Sequence, residues 1–205
     1  MNQPADQTPP RRWVVTGASR GIGRAIAMRA LAAGDRVCLL ARGSSVIENA
    51  AALGERAMGA LADVADADQV REACASVAAA WGGIDVLVNS AGLHRGGRVE
   101  SLSIDDWDAT LATNLSGPLH AVRAALPHMG PGGSIVNVGA VVGFRGFRGD
   151  SCYGASKAGL AGLTNVLAVE LARRGIRVNL VVPGFVMTEM TSSASSSRSW
   201  CERSE

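Results

Sequence analysis

The chain has 205 residues, 47% of them hydrophobic and 19% charged, so it can bury a sizeable core and general disorder is excluded. Basic and acidic residues number 20 and 18, a net charge of +2, too small a field to argue for nucleic acid. No apolar run approaches the roughly eighteen residues that a membrane-spanning helix needs.

The first residues are polar and Pro-containing, lack the apolar stretch of a secretory signal, and read as a flexible arm over 1–11. From there short apolar runs alternate with longer helical patterns. Strands are expected at 13–16, 36–41, 57–62, 84–89, 134–138 and 177–182, and helices at 22–33, 69–81, 107–129 and 153–174. Strands apolar on both faces suit a parallel sheet covered by helices on each side. The alternation predicts a Rossmann-like, doubly wound α/β domain over 12–190. The serine-rich stretch 191–205 has no periodicity and reads as a disordered tail.

The first strand runs into Gly17-Ala18-Ser19-Arg20-Gly21-Ile22-Gly23, and a helix follows. Glycines here let the backbone turn tightly and approach a pyrophosphate seated on the helix N-terminus. The second strand ends Leu39-Leu40-Ala41-Arg42, with no acid to accept a ribose hydroxyl. Arg42, with Arg20, can pair with a 2′-phosphate, which favours NADP(H) over NAD(H); the alternative is that both are solvated surface arginines.

The only tyrosine, Tyr153, and the only lysine, Lys157, stand four residues apart, on one face of the expected helix. A nearby ammonium favours the phenolate, so Lys157 is expected to lower the proton affinity of Tyr153. The cysteines (Cys38, Cys74, Cys152, Cys201) form no C-x-x-C pair and read as free thiols of a cytoplasmic protein. His94, His120 and His128 lack metal-ligand spacing, and no metal is expected.

Together these motifs resemble the short-chain dehydrogenases/reductases, most nearly their 3-oxoacyl-acyl-carrier-protein reductase branch. Thr16 to Gly23 matches the family's T-G-x-x-x-G-x-G. Leu61-Ala62-Asp63-Val64 resembles the stretch after the third strand, where Asp63 would bind the adenine and Val64 would also meet the cofactor. Asn89-Ser90-Ala91-Gly92 stands for N-N-A-G. Tyr153 and Lys157 make Y-x-x-x-K, and Pro183, Gly184, Val186 and Thr188 fall in the turn that holds the nicotinamide. The resemblance implies an NADP(H)-dependent reductase of ketones, 3-oxoacyl thioesters among them. Tyr153 would donate the proton, Lys157 would hold the ribose, and Asn114 would order a water.

Two departures follow from the same resemblance. The serine expected before the tyrosine is Ala140, so one hydrogen-bond donor to the substrate oxygen is missing, with Ser151 or a water as substitutes. The tail at 191–205, a natural variant or a frame change, stands where the family has lid helices and a seventh strand, leaving the sixth strand an open sheet edge. A rival reading is therefore a catalytically impaired homologue that binds nucleotide or a partner. Phe144 to Arg148 suggests an anionic or acyl substrate, and Arg173-Arg174 an acidic acyl carrier protein; charges solvating a loop or a helix end explain both equally. The family habit implies a homo-oligomer built on the helices around Asn114 and Tyr153.

Overall fold

A computed structural model describes residues 9–188. The elements are β1 (Arg12–Thr16), α1 (Gly21–Ala32), β2 (Arg36–Ala41), α2 (Ser45–Ala51), β3 (Ala57–Leu61) and α3 (Ala67–Trp81). Then come β4 (Val86–Asn89), α4 (Ile104–Leu111), α5 (Gly117–Ala125), β5 (Ser134–Val138), α6 (Ser151–Ala172) and β6 (Arg177–Val181). All strand pairs are parallel and the order is β3-β2-β1-β4-β5-β6, the doubly wound arrangement expected. Among the described residues β6 forms one edge. The serine-rich stretch 191–205 and most of the arm at 1–11 lie outside the described residues.

Alternation along the strands builds two cores. Cys38 and Leu40 of β2 face one way, with Val14, Leu87 and Ile135, onto α3, α5 and the end of α6. Val37, Leu39 and Ala41 face the other way, with Val15, Val86 and Val88, onto α1 and α2. Small residues on the helices, Ala27 and Ala30 of α1 and Ala121 and Ala125 of α5, bring the layers close. At the amino ends of the strands the Arg12 guanidinium grips Asp85 through Nε (2.8 Å) and Nη2 (2.6 Å), tying β1 to the lead-in of β4.

The helices differ from expectation in instructive places. The Asp66 side chain accepts the N–H groups of Asp68 and Gln69, so α3 starts at Ala67 rather than 69. Ser103 caps the N–H of Asp106 and starts α4 at Ile104, before the expected 107. The single helix expected over 107–129 is instead α4, a π-turn at Ala112–Ser116, α5, and a 3-10 turn at Leu126–His128. The Gly117 N–H reaches back to the carbonyl of Ala112, and Pro118, lacking an N–H, leaves the Asn114 carbonyl without its α-helical donor. α2 was not expected; it is too short for a periodic signal, with Val46 and Ala50 alone buried.

Candidate active site

The chain leaves β1 on one side and, after β3, crosses to β4 on the other, so a crevice opens at the carboxyl ends where the two loops part. The Thr16 hydroxyl accepts the N–H groups of Ser90 (3.0 Å) and Ala91 (3.1 Å), fastening the end of β1 to the loop after β4. Gly17 has φ +66°, and a Cβ there would stand 2.7 Å from the Ala91 Cα. A Cβ on Gly23 would lie 2.5 Å from the Gly17 carbonyl oxygen. Only glycine fits either place. α1 opens with Arg20 in extended conformation, no side-chain cap and no acid in its first turn, which leaves its first N–H groups suited to an external anion.

A cleft of about 420 Å³ lies over this turn. Of the residues expected from sequence, Gly17, Ser19, Arg20, Gly21, Ile22 and Gly23 line it from the β1–α1 turn, Arg42 from the end of β2, and Val64 from the stretch after β3. Ala91 and Gly92 line it after β4, Tyr153 and Lys157 from α6, and Pro183, Gly184, Val186 and Thr188 after β6. Ser90, from the same expected motif, lines it as well, and so does Thr113, which was not anticipated; Ala140 and Tyr153 share the lining, whereas Ser151 is exposed at the start of α6 and outside it.

Asp63, Asn89 and Asn114 do not line the cleft; Asn89 and Asn114 are buried, and Asp63 is half-buried. Asp63 accepts the N–H of Ala65 (2.9 Å), and its other oxygen lies 3.6 Å from Arg42 Nη1, so Arg42 already has an acidic neighbour. Asn89 donates to Asn137 (2.8 Å), which donates to Thr164 (2.9 Å), a buried lock across β4, β5 and α6. Among the described residues the Asn89 Oδ1 is buried without a partner. Asn114, fully buried in the π-turn, accepts the Leu93 N–H (2.7 Å) and donates to the Leu93 carbonyl (2.9 Å) and to Ser156 Oγ (3.0 Å). Ser156 in turn donates to the Tyr153 carbonyl (2.7 Å), coupling the π-turn to α6.

Lys157 is 4% exposed, and its Nζ donates to the carbonyl of Val138 at 2.8 Å. Burial pushes its pKa down to about 8. The Nζ lies 5.7 Å from the centre of the Tyr153 ring. The Tyr153 phenol is held above its ordinary value, by burial first and by the nearby Asp150 carboxylate second. The direction is opposite to the lowering expected from Lys157: burial and Asp150 set it, and the Lys157 ammonium is engaged by the Val138 carbonyl. His94 bonds Asp150 and packs edge-to-face on Tyr153, a grouping that sequence spacing did not show because its members are far apart in the chain. Arg174, on the surface, donates to the carbonyls of Leu126 (2.7 Å) and Met129 (3.1 Å), which explains it as a clamp just beyond the end of α6.

A Rossmann-type sheet with a Tyr and Lys on one helix face at its crevice defines an oxidoreductase of the nucleotide-dependent class. The profile of the short chain dehydrogenase family matches residues 11–199, and the chain belongs to that family. It is 41% identical over 189 residues to the 3-oxoacyl-acyl-carrier-protein reductase of Staphylococcus aureus, covering 89% of this chain and 77% of that one. The human 3-oxoacyl-acyl-carrier-protein reductase is 42% identical over 180 residues (86% and 76%). A short chain dehydrogenase of Burkholderia cenocepacia, solved in complex with NADP, superposes with a TM-score of 0.84 at 44% identity, over 92% of this chain and 81% of that one.

Proposed function

We propose that the chain reduces a ketone to a secondary alcohol using NADPH, with Tyr153 as the proton donor and a 3-oxoacyl thioester as the substrate class. The observation that carries this reading is the meeting of Tyr153 and Lys157 with the glycine turn in one cleft. The residues fit such a cofactor: two glycines let the turn close tightly, backbone against backbone, and among the described residues the adjoining N-terminus of α1 has no side-chain cap. Arg42 is largely exposed and keeps donors to spare for a 2′-phosphate despite Asp63. When bound, the cofactor supplies hydride to the carbonyl carbon. Tyr153, kept protonated by burial, is suited to give its proton to the carbonyl oxygen. Lys157, fixed by the Val138 carbonyl, holds a positive charge where the ribose and the developing phenolate lie. The Asn114 carbonyl, which lacks an α-helical donor at Pro118, is the acceptor that would order a water toward Lys157.

A relation to NADP and to 3-oxoacyl thioesters is supported by the names of the related proteins. Exposed Val166 and Val169 on α6, and Leu119 on α5, support a homo-oligomer through those helices. A cytoplasmic location and an acyl carrier protein as partner, with Arg173 on its surface, belong to the same reading. Ala140 favours one alternative, an impaired homologue that still binds nucleotide. NADPH consumption with acetoacetyl thioesters and simple ketones distinguishes the two, run on the chain, on Tyr153→Phe and on Ala140→Ser. Turnover that falls on the order of 10²–10⁴-fold in Tyr153→Phe, with NADPH still bound, supports the reductase. No turnover in either the parent or Ala140→Ser refutes it.

A further inference from the structure

A second ionisable group stands against the reacting tyrosine and has no part in the mechanism above. His94, in the loop after β4, bonds Asp150 Oδ1 through Nε2 at 2.8 Å. An ionised carboxylate only accepts, so the Nε2 carries the hydrogen and Nδ1 is left to take up or release a proton. The imidazole meets the Tyr153 ring edge-to-face, with centroids 4.8 Å apart and planes at 85°. The Asp150 side chain is 14% exposed, so its charge is only partly screened.

The grouping is braced from both sides. Gly97 bridges to Asp150, and its N–H donates to the Gly149 carbonyl at 2.8 Å. The Cys152 thiol donates to the carbonyl of Arg95 at 2.8 Å, while the Arg95 guanidinium is drawn off to Asp106 at 2.7 Å. Among the described residues, the charged and titratable groups at His94 are thus Asp150 from the lead-in to α6, Tyr153 from α6, and the neighbouring Arg95–Asp106 pair, while the Lys157 Nζ lies against the Tyr153 ring. With the imidazole protonated, His94 and Asp150 cancel. With it neutral, one negative charge is left facing the phenol, which must itself become negative as it gives up its proton.

We propose that His94 and Asp150 are positioning residues of the reduction, an ionisable pair that sets how readily Tyr153 releases its proton to the substrate oxygen. The proposal rests on Tyr153 being the proton donor. In the step, the Tyr153 O–H bond breaks and its proton joins the carbonyl oxygen, while hydride from NADPH reduces the carbon. Protonated His94 offsets Asp150 at that moment, and neutral His94 does not.

Because Tyr153 is the only tyrosine, its ionisation can be read directly in the full chain from tyrosinate absorbance, without substrate. Asp150→Asn, nearly the same shape, should titrate Tyr153 at lower pH than the parent. In kinetics, kcat/KM of the parent should fall roughly three- to tenfold as pH rises through the His94 titration, followed in the same protein by its ring-proton NMR signals. His94→Gln should lack that inflection and stay at the lower level, and His94→Gln with Asp150→Asn should recover the loss. The proposal is overturned by a Tyr153 titration unchanged in Asp150→Asn, or by a parent inflection that persists in His94→Gln. Tyr153→Phe separates the two levels of the argument. If it is inactive while His94→Gln keeps the parent profile, only the pair's role fails; if it retains full activity, the proton-donor reading fails with it.

Discussion

Replacing Lys157 by methionine should set the preference of the fold against the need of the site. The buried ammonium has its pKa held at about 8 rather than 10.5. At about 1.4 kcal/mol per pH unit, that gap opposes folding by roughly 3 kcal/mol while the lysine is charged. Methionine fills a similar volume without charge, but abandons the Val138 carbonyl, losing roughly 1–2 kcal/mol. The variant should therefore be more stable by about 1–2 kcal/mol at neutral pH, a rise in Tm of about 2–8 °C, while turnover is lost. Between about 8 and 10.5 the native lysine is neutral and the unfolded one still binds its proton. Unfolded protein then binds more protons, so the parent gains stability as pH rises through that window and the advantage of Met shrinks. Denaturant unfolding of both proteins at neutral pH and at about pH 10 measures the gap. A variant less stable than the parent at neutral pH, or a gap that does not narrow, would show that burial of the charge is not what holds Lys157 low.

Two further outcomes follow from the same geometry. Gly23→Ala places a methyl against the Gly17 carbonyl with only backbone to yield, so it should cost about 1–3 kcal/mol and weaken NADPH binding at least roughly tenfold; thermal melts and fluorescence titration report both, and binding equal to the parent would refute the tight-turn argument. The Arg12 guanidinium holds the Asp85 carboxyl below the usual carboxylate range, so its contribution is present above the unfolded value of about 4 and is lost as pH falls through the native one. Asp85→Asn should be less stable near neutrality and should lose part of the parent's acid sensitivity, as urea unfolding across the acid range would show.

The doubly wound sheet was legible because its signal is local: Val-, Leu- and Ile-rich runs bounded by glycine, in strict alternation with helical patterns. The glycine turn and the Tyr153–Lys157 pair were legible for the same reason, since each is contained in a few consecutive residues. What escaped depends on contacts between distant segments. The break at Asn114 follows from Pro118 and from the grip of Leu93 and Ser156 on the side chain, and a periodic apolar pattern runs straight across it. The raised proton affinity of Tyr153 reflects burial and Asp150, neither of which the i, i+4 spacing contains. Asp63 and Arg42 were read as separate contacts for the cofactor, and the fold sets them side by side.

The seam between β1 and β4 also constrains the order in which this protein can assemble. β1 pairs with β2 as soon as residues 36–40 are available, and β2 with β3 soon after, so half of the sheet can form from the early part of the chain. The other side of β1 stays bare until Val86–Asn89 arrives to pair with residues 13–16. Until then Thr16 has no Ser90 or Ala91 to hold, and the crevice has only one wall. On a ribosome, a nascent chain would carry the glycine turn long before it had anywhere to seat a nucleotide, and ligand capture could begin only after this long-range closure, the kind of contact that slows folding.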